Sequence, residues 1–204
     1  MPKRTVTSKN DRETQLTRAV FDILARQKWP DMTLAAVARA AKLPLPDVLA
    51  IAPSKAALPG LVLRNLAREN LRRQRAARTS DGPRERLFDV TMTWFDTQQS
   101  HAPALKKLYQ SLKYDPATLL VMRRDFVDIA GQLLVLAETD FGLSPRLQAG
   151  VFAGALVRAT SVWCDDDEEM GRTMAQLEAV LGRMERFLWP KSPKPAAHKA
   201  KRRR

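Results

Sequence analysis

The residue types that carry most enzyme chemistry are scarce in this chain. Its two histidines, His101 and His198, are far apart, and neither has a second His, a Cys or paired acids at ligand spacing. That pattern argues against a metal site. Cys164 is the single cysteine and has no nucleophile-activating partners in the pattern; beside Trp163 it reads as a small buried hydrophobe. Asp165, Asp166 and Asp167 offer carboxylates for a divalent cation, but they lack the spacing of a calcium loop. Equally, Asp166 or Asp167 can cap the last helix, with the neighbouring acids favouring its positive end. No glycine-rich loop matches a nucleotide fingerprint. The expectation is a protein that is not an enzyme and carries no cofactor.

Charge is the stronger signal. The chain of 204 residues has a formal net charge of +13 at pH 7, a value that suits a phosphate polymer or an anionic surface. Its distribution is uneven. Lys3, Arg4 and Lys9 precede the first acid, and Lys191, Lys194, Lys199, Lys201 and Arg202 to Arg204 follow the last. The tail KSPKPAAHKAKRRR reads as disordered, serving either nonspecific phosphate binding or solubility. With 45% hydrophobic and 28% charged residues the rest is ordinary globular protein. No apolar run approaches the roughly 18 residues of a membrane span, and the charged opening has no apolar core of a secretory signal. One cysteine suits a reducing cytoplasm.

The elements that must position any site all read as helices. Asn10 or Asp11 can cap a first helix to about Gln27, broken by Lys28 to Asp31. Thr33 caps a second, Leu34 to Ala41, and Lys42-Leu43-Pro44 makes a turn. A third runs from about Pro46 to Ile51. Pro53 ends it, and Ser54 caps a fourth reaching about Arg78, which carries Arg64, Arg68, Arg72 and Arg75 on one side with Glu69 as the opposing acid. That stripe is a solvated face or a basic flank beside DNA or an anionic membrane. Thr79 to Pro83 is the clearest boundary. Beyond it helices are expected at about Pro83–Gln99, Ala102–Leu112, Pro116–Phe141, Ser144–Cys164 and Asp167–Trp189. The resulting division is a basic arm over 1–10, a small helical domain over 11–57, a larger one over 58–190 opened by the connecting helix 58–78, and the tail over 191–204.

Two features of the larger part bear on partners. Met170, Thr173, Leu177, Leu181, Met184 and Leu188 alternate in steps of three and four, a narrow apolar seam. Gly150 and Gly154 let a helix approach closely. Together they suit a two-helix face pairing across a twofold axis, or packing within the chain.

The segment Thr33 to Leu58, TLAAVARAAKLPLPDVLAIAPSKAAL, resembles the DNA-binding helices of TetR-family regulators. Ala41, Leu43, Val48, Ser54, Lys55 and Leu58 fall in register with that family's pattern without a gap. The resemblance implies an all-α, TetR-like fold: an N-terminal helix-turn-helix and a helical C-terminal domain for dimerisation and ligand. It implies a homodimeric DNA-binding regulator, a repressor released by a mostly apolar ligand. Thr33, Lys55 and the backbone at helix starts would meet phosphates, Leu45, Asp47 and Val48 would face base edges, and Lys42 and Pro44 belong to the same DNA-binding set. By the same analogy Trp94, Leu108, Tyr109, Met122, Phe126 and Ile129 either surround a ligand cavity or fill a core. Gly150, Gly154, Leu177, Leu181, Met184 and Leu188 would form the dimer interface.

Departures cluster in the recognition stretch. Lys42 stands where the family's turn usually has Gly, Pro44 replaces Ser, Leu49 the Tyr, Ile51 the His and Ala52 the Phe. LPLPDVLAI therefore offers no cation and no amide for bidentate base contacts. A second resemblance points elsewhere. Ala159 to Glu185, through Trp163, Asp165, Asp166, Thr173 and Leu177, is similar to the C-terminal signature of ubiquinone-biosynthesis accessory proteins. These share the fold and bind lipid instead of DNA.

Overall fold

The computed structural model describes residues 8–74 and 82–188. Its first helix starts earlier than Asn10 or Asp11. The Ser8 hydroxyl accepts from the Asp11 N–H and the Asp11 carboxylate accepts from the Ser8 N–H, a reciprocal capping box. Lys9 and Asn10 thus belong to α1 (Lys9–Arg26) and not to an arm. After a 3-10 turn at Trp29–Asp31, the Thr33 hydroxyl accepts from Ala36 N–H at 3.2 Å and opens α2 (Leu34–Ala40). Leu43 N–H then bonds back to Ala38 C=O and Lys42 N–H to Arg39 C=O, the paired closure that stops a helix with one left-handed residue. That residue is Lys42, at φ 55°.

α3 (Leu45–Ile51) begins one residue before the expected Pro46. The fourth helix is shortened. A 3-10 turn at Lys55–Ala57 precedes α4 (Leu58–Gln74), and Ser54 makes no side-chain cap bond. The expected stretch to Arg78, and with it Arg75, lies outside the described residues. α5 (Pro83–Gln99) and α6 (Ala102–Leu112) have the bounds their Pro and Gly punctuation suggests. α7 (Pro116–Leu136) ends before Phe141, because Glu138 turns left-handed at φ 49° and Thr139 N–H bonds to Leu134 C=O. α8 (Pro145–Trp163) and α9 (Gly171–Leu188) are the last helices among the described residues, which contain no strand.

α4 is the spine, buried through Leu58, Leu61, Val62, Leu63 and Leu66 between α1 on one side and α5 and α7 on the other. Its arginines are not a free stripe. Arg64 donates to Asp125 at 2.7 Å, Arg68 reaches Glu13 of α1, and Arg73 donates to Glu69 at 2.8 Å. Asp125 and Glu13 lie on α7 and α1, so Arg64 and Arg68 stitch α4 to its neighbours, while Glu69 lies on α4 itself and Arg72 forms no ion pair among the described residues.

The α9 seam is also spent internally. Thr173, Leu177 and Leu181 are fully buried against α5 and α8, Met184 nearly so, and Leu188 packs on the same core. Burying each leucine contributes roughly 2 kcal/mol to the chain's own fold, so this seam is not a surface for a second copy. Asp166 accepts from Thr173 N–H at 2.6 Å and Thr173 O–H at 2.7 Å, so it caps the start of α9 from the preceding loop. No helix among the described residues is by itself long and apolar enough to cross a membrane.

Candidate nucleic-acid interface and apolar groove

α1, α2 and α3 close on Leu16, Val20, Val37 and Val48, all fully buried. Val48 is therefore a core residue and cannot face base edges: it is the residue by which α3 is held. The opposite side of α3 is bare. Leu45 is 41% and Leu49 42% exposed, with Pro46 and Ala50 beside them. Asp47 is tied to Arg12 of α1 at 3.3 Å. Pro44, the residue before α3, is exposed, as are Thr33, Arg39 and Lys42. Arg39 and Lys42 form no ion pair among the described residues.

Lys55 sits differently from the expectation of a phosphate contact. Its ammonium donates to Pro30 C=O at 2.8 Å and lies 4.9 Å from the Trp29 ring centroid. Burial pushes its pKa down, against the pull of Asp115 and Asp31. The Trp29 indole N–H in turn donates to Asp115 at 3.1 Å, and Asp115 caps α7 through Thr118. Hydrogen bonds from Thr118, first its hydroxyl and then its N–H, and from Trp29 hold the Asp115 carboxyl below the usual range. The indole thus ties the turn before α2 to the start of α7, alongside the links that Arg68 makes to Glu13 and Lys107 makes to the end of α1.

The larger domain carries a groove of about 550 Å³ between α6, α7 and α8. Tyr109, Met122 and Phe126 of the expected ligand residues line it, with Gly150, Ala153 and Gly154 from α8. Trp94, Leu108 and Ile129 do not: all three are almost wholly buried in the core. Gly150 and Gly154 have no heavy atom within 4 Å of where a Cβ would stand. They open onto space, and no other helix among the described residues packs on them. Thr160 lies in the wall, and its hydroxyl is buried without a hydrogen-bond partner. Cys164 is also in the lining, its thiol pKa pushed up to about 11, first by burial and then by Asp165. It is a neutral wall residue, and no cluster of His, Cys, Asp or Glu among the described residues is set to hold a metal.

α6 connects the two regions. Tyr109, Leu112 and Lys113 face the groove, while Lys107 donates to the Ala25 and Leu24 carbonyls at the end of α1. His101, just before α6, stacks on Phe21 of α1 with centroids 4.3 Å apart, and burial lowers its pKa.

Two solved structures share the overall fold of this chain. A TetR transcriptional regulator from Rhodococcus sp. RHA1 matches at a TM-score of 0.53 with 14% identity, over 87% of this chain and 96% of that one. A TetR-family transcriptional regulator from Rhodococcus sp. matches at 0.53 with 15% identity, over 84% and 99%. The chain has the TetR fold. No family model matches the sequence, and no curated protein does. Leu49 and Ala50 on α3 and Arg39 on α2 are exposed beside the residues singled out in the sequence. Sequence reasoning passed over Lys113, Arg123 and Thr160 in the groove, because no local pattern distinguishes an unpaired cation or hydroxyl from a paired one.

Proposed function

We propose that this protein is a DNA-binding transcriptional regulator acting as a homodimer, with an apolar ligand in the α6–α8 groove altering the spacing of its recognition helices. Lys42 carries the reading. A left-handed residue bearing a side chain costs about 1–2 kcal/mol, and glycine would close the same turn without that cost. The position instead holds an exposed cation beside the bare face of α3. Lys42 and Arg39 supply phosphate contacts, with Thr33 at the start of α2. Leu45, Leu49 and Ala50 offer apolar surface suited to thymine methyl groups, and Asp47 can accept from a cytosine amino group once Arg12 releases it.

The dimer contact moves from the α9 seam to the outer side of α8. Leu147, Val151 and Arg158 form an exposed stripe there. A ligand that displaces α6 would move α1 through Lys107 and His101, and so the recognition helix. The open groove and the apolar, donor-poor outer face of α3 suit the lipid-binding alternative; the likeness to regulators lends that alternative nothing.

The test is selection from a random duplex library at physiological salt with excess competitor DNA, using the full chain and a chain cut after Trp189. Enrichment of a defined sequence that survives the cut supports the regulator. Binding that is unselective, or lost with the tail, overturns it. Uracil in place of thymine within the selected site should weaken binding about fourfold per methyl, from roughly 0.8 kcal/mol per buried carbon.

A further inference from the structure

We infer that the α6–α8 groove takes an amphiphile with an anionic headgroup, an alkyl carboxylate being the simplest form, held at the end where Lys113, Arg123 and Thr160 meet. The inference rests on the groove being a ligand site and adds the polarity of what enters it.

The groove has a direction. α7 ends at Leu136, α8 starts at Pro145 and the two pack on each other, so they run antiparallel; a Cβ at Gly131 would stand 3.5 Å from the Ala149 Cβ, which puts 131 beside 149. Both helices rise equally per residue. Arg123 therefore lies near the level of Val157, and Leu119 near Ser161. Lys113 belongs to that same end, since its charge acts on the Cys164 thiol. The other end is floored by Gly150, Ala153 and Gly154 and walled by Phe126 and Val127. One end is cationic and hydroxyl-bearing; the other is apolar and lacks side chains that would fill it.

Nothing in the fold uses the polar end. The lining contains Lys113 and Arg123 and no carboxylate, and neither cation forms an ion pair among the described residues. Elsewhere in this protein acids from remote helices meet the cations, as Asp125 does for Arg64. Thr160 is only 6% exposed, and its hydroxyl has no partner even though it could bond back to its own helix. A buried donor left open costs free energy unless something accepts from it. A carboxylate accepts only, in several directions, and gains charge-assisted bonds from the cations. An apolar tail then covers the groove, whose volume falls within the range of about 300–1,000 Å³ found for small-molecule sites.

The experiment compares dodecanoate, dodecan-1-ol and dodecyltrimethylammonium, each below its micelle concentration, binding to the full chain by calorimetry. Dodecanoate should bind at least about tenfold tighter than the alcohol, one charge-assisted contact's worth, and the ammonium weakest. The double variant K113Q/R123Q, both exposed positions, should bring dodecanoate to the alcohol's affinity and leave the alcohol unchanged. Equal binding of acid and alcohol, or a carboxylate preference that survives K113Q/R123Q, overturns the anionic headgroup and keeps the ligand site. Failure of all three to bind overturns both, while DNA selection by the same preparation stands or falls separately.

Discussion

The helix-turn-helix and the α6–α8 groove treat their polar groups in opposite ways. Around α3 most of them are already committed inside the chain. Asp47 holds Arg12, Lys55 holds the Pro30 carbonyl over Trp29, and Glu13 holds Arg68. In the groove Lys113, Arg123 and the Thr160 hydroxyl have no partner among the described residues. A committed group holds shape, and removing it should cost stability. An uncommitted one should cost binding and nothing else. Arg39 and Lys42 are the exceptions in the first region: both are exposed and unpaired, and Lys42 is in a backbone conformation that favours glycine.

Asp115 gives the largest test of the committed set, since it holds both the Trp29 indole and the start of α7. Asp115→Ala should lower unfolding free energy by about 2–3 kcal/mol in urea titration, a cap plus a buried donor left open. The pH dependence has a definite sign. The folded-state pKa lies below the usual value of about 3.9. The carboxylate's contribution is therefore complete above that value and drains away as pH falls through the lower one. Asp115→Asn should flatten this acid slope.

Lys55→Met comes next, with an expected loss of about 1–2 kcal/mol from the broken bond to Pro30 and the lost ring contact. Its DNA affinity should keep the same salt dependence. A salt slope reduced by about one unit would instead make Lys55 a phosphate contact, and the comparison would fail there. Lys42→Gly should do the reverse: stability rises by about 1 kcal/mol as the left-handed strain is relieved, while the salt slope falls by about one unit. A variant that is more stable and binds DNA unchanged would remove the main support for an interface at that turn.

The smallest effect is expected in the groove. Thr160→Val keeps shape and removes an unpartnered hydroxyl, so thermal unfolding should show stability equal to the parent or raised by up to about 1 kcal/mol. A loss of more than that would mean the hydroxyl is committed in the protein after all, and the contrast between the two regions would disappear.

Much of the architecture was legible from local signals. The Thr33 cap and the Pro-led starts at Pro83 and Pro116 depend on a few neighbouring residues, and those elements lie where the sequence places them. Ends set by a left-handed residue were not legible: Glu138 carries no mark that it would stop α7 short of Phe141. Burial was harder still. Val48 and Leu49 are adjacent apolar residues, and only the packing of α3 on α1 and α2 sends one to the core and the other to solvent. The regular spacing of Leu177, Leu181 and Met184 describes an apolar face without saying which partner covers it, and α5 and α8 of the same chain do so.

By itself the sequence determined the helical class, the turn chemistry around α2 and the charge of the two ends, because these follow from residue type and short-range spacing. Tertiary structure alone decided that Arg12, Arg64, Arg68 and Arg84 are neutralised, since their acids lie on other helices. For the same reason it alone decided that Gly150 and Gly154 open onto space and that the Thr160 hydroxyl is left without a partner. Satisfaction of a polar group is a property of the contacts that long-range packing brings together, and no spacing along the chain encodes it.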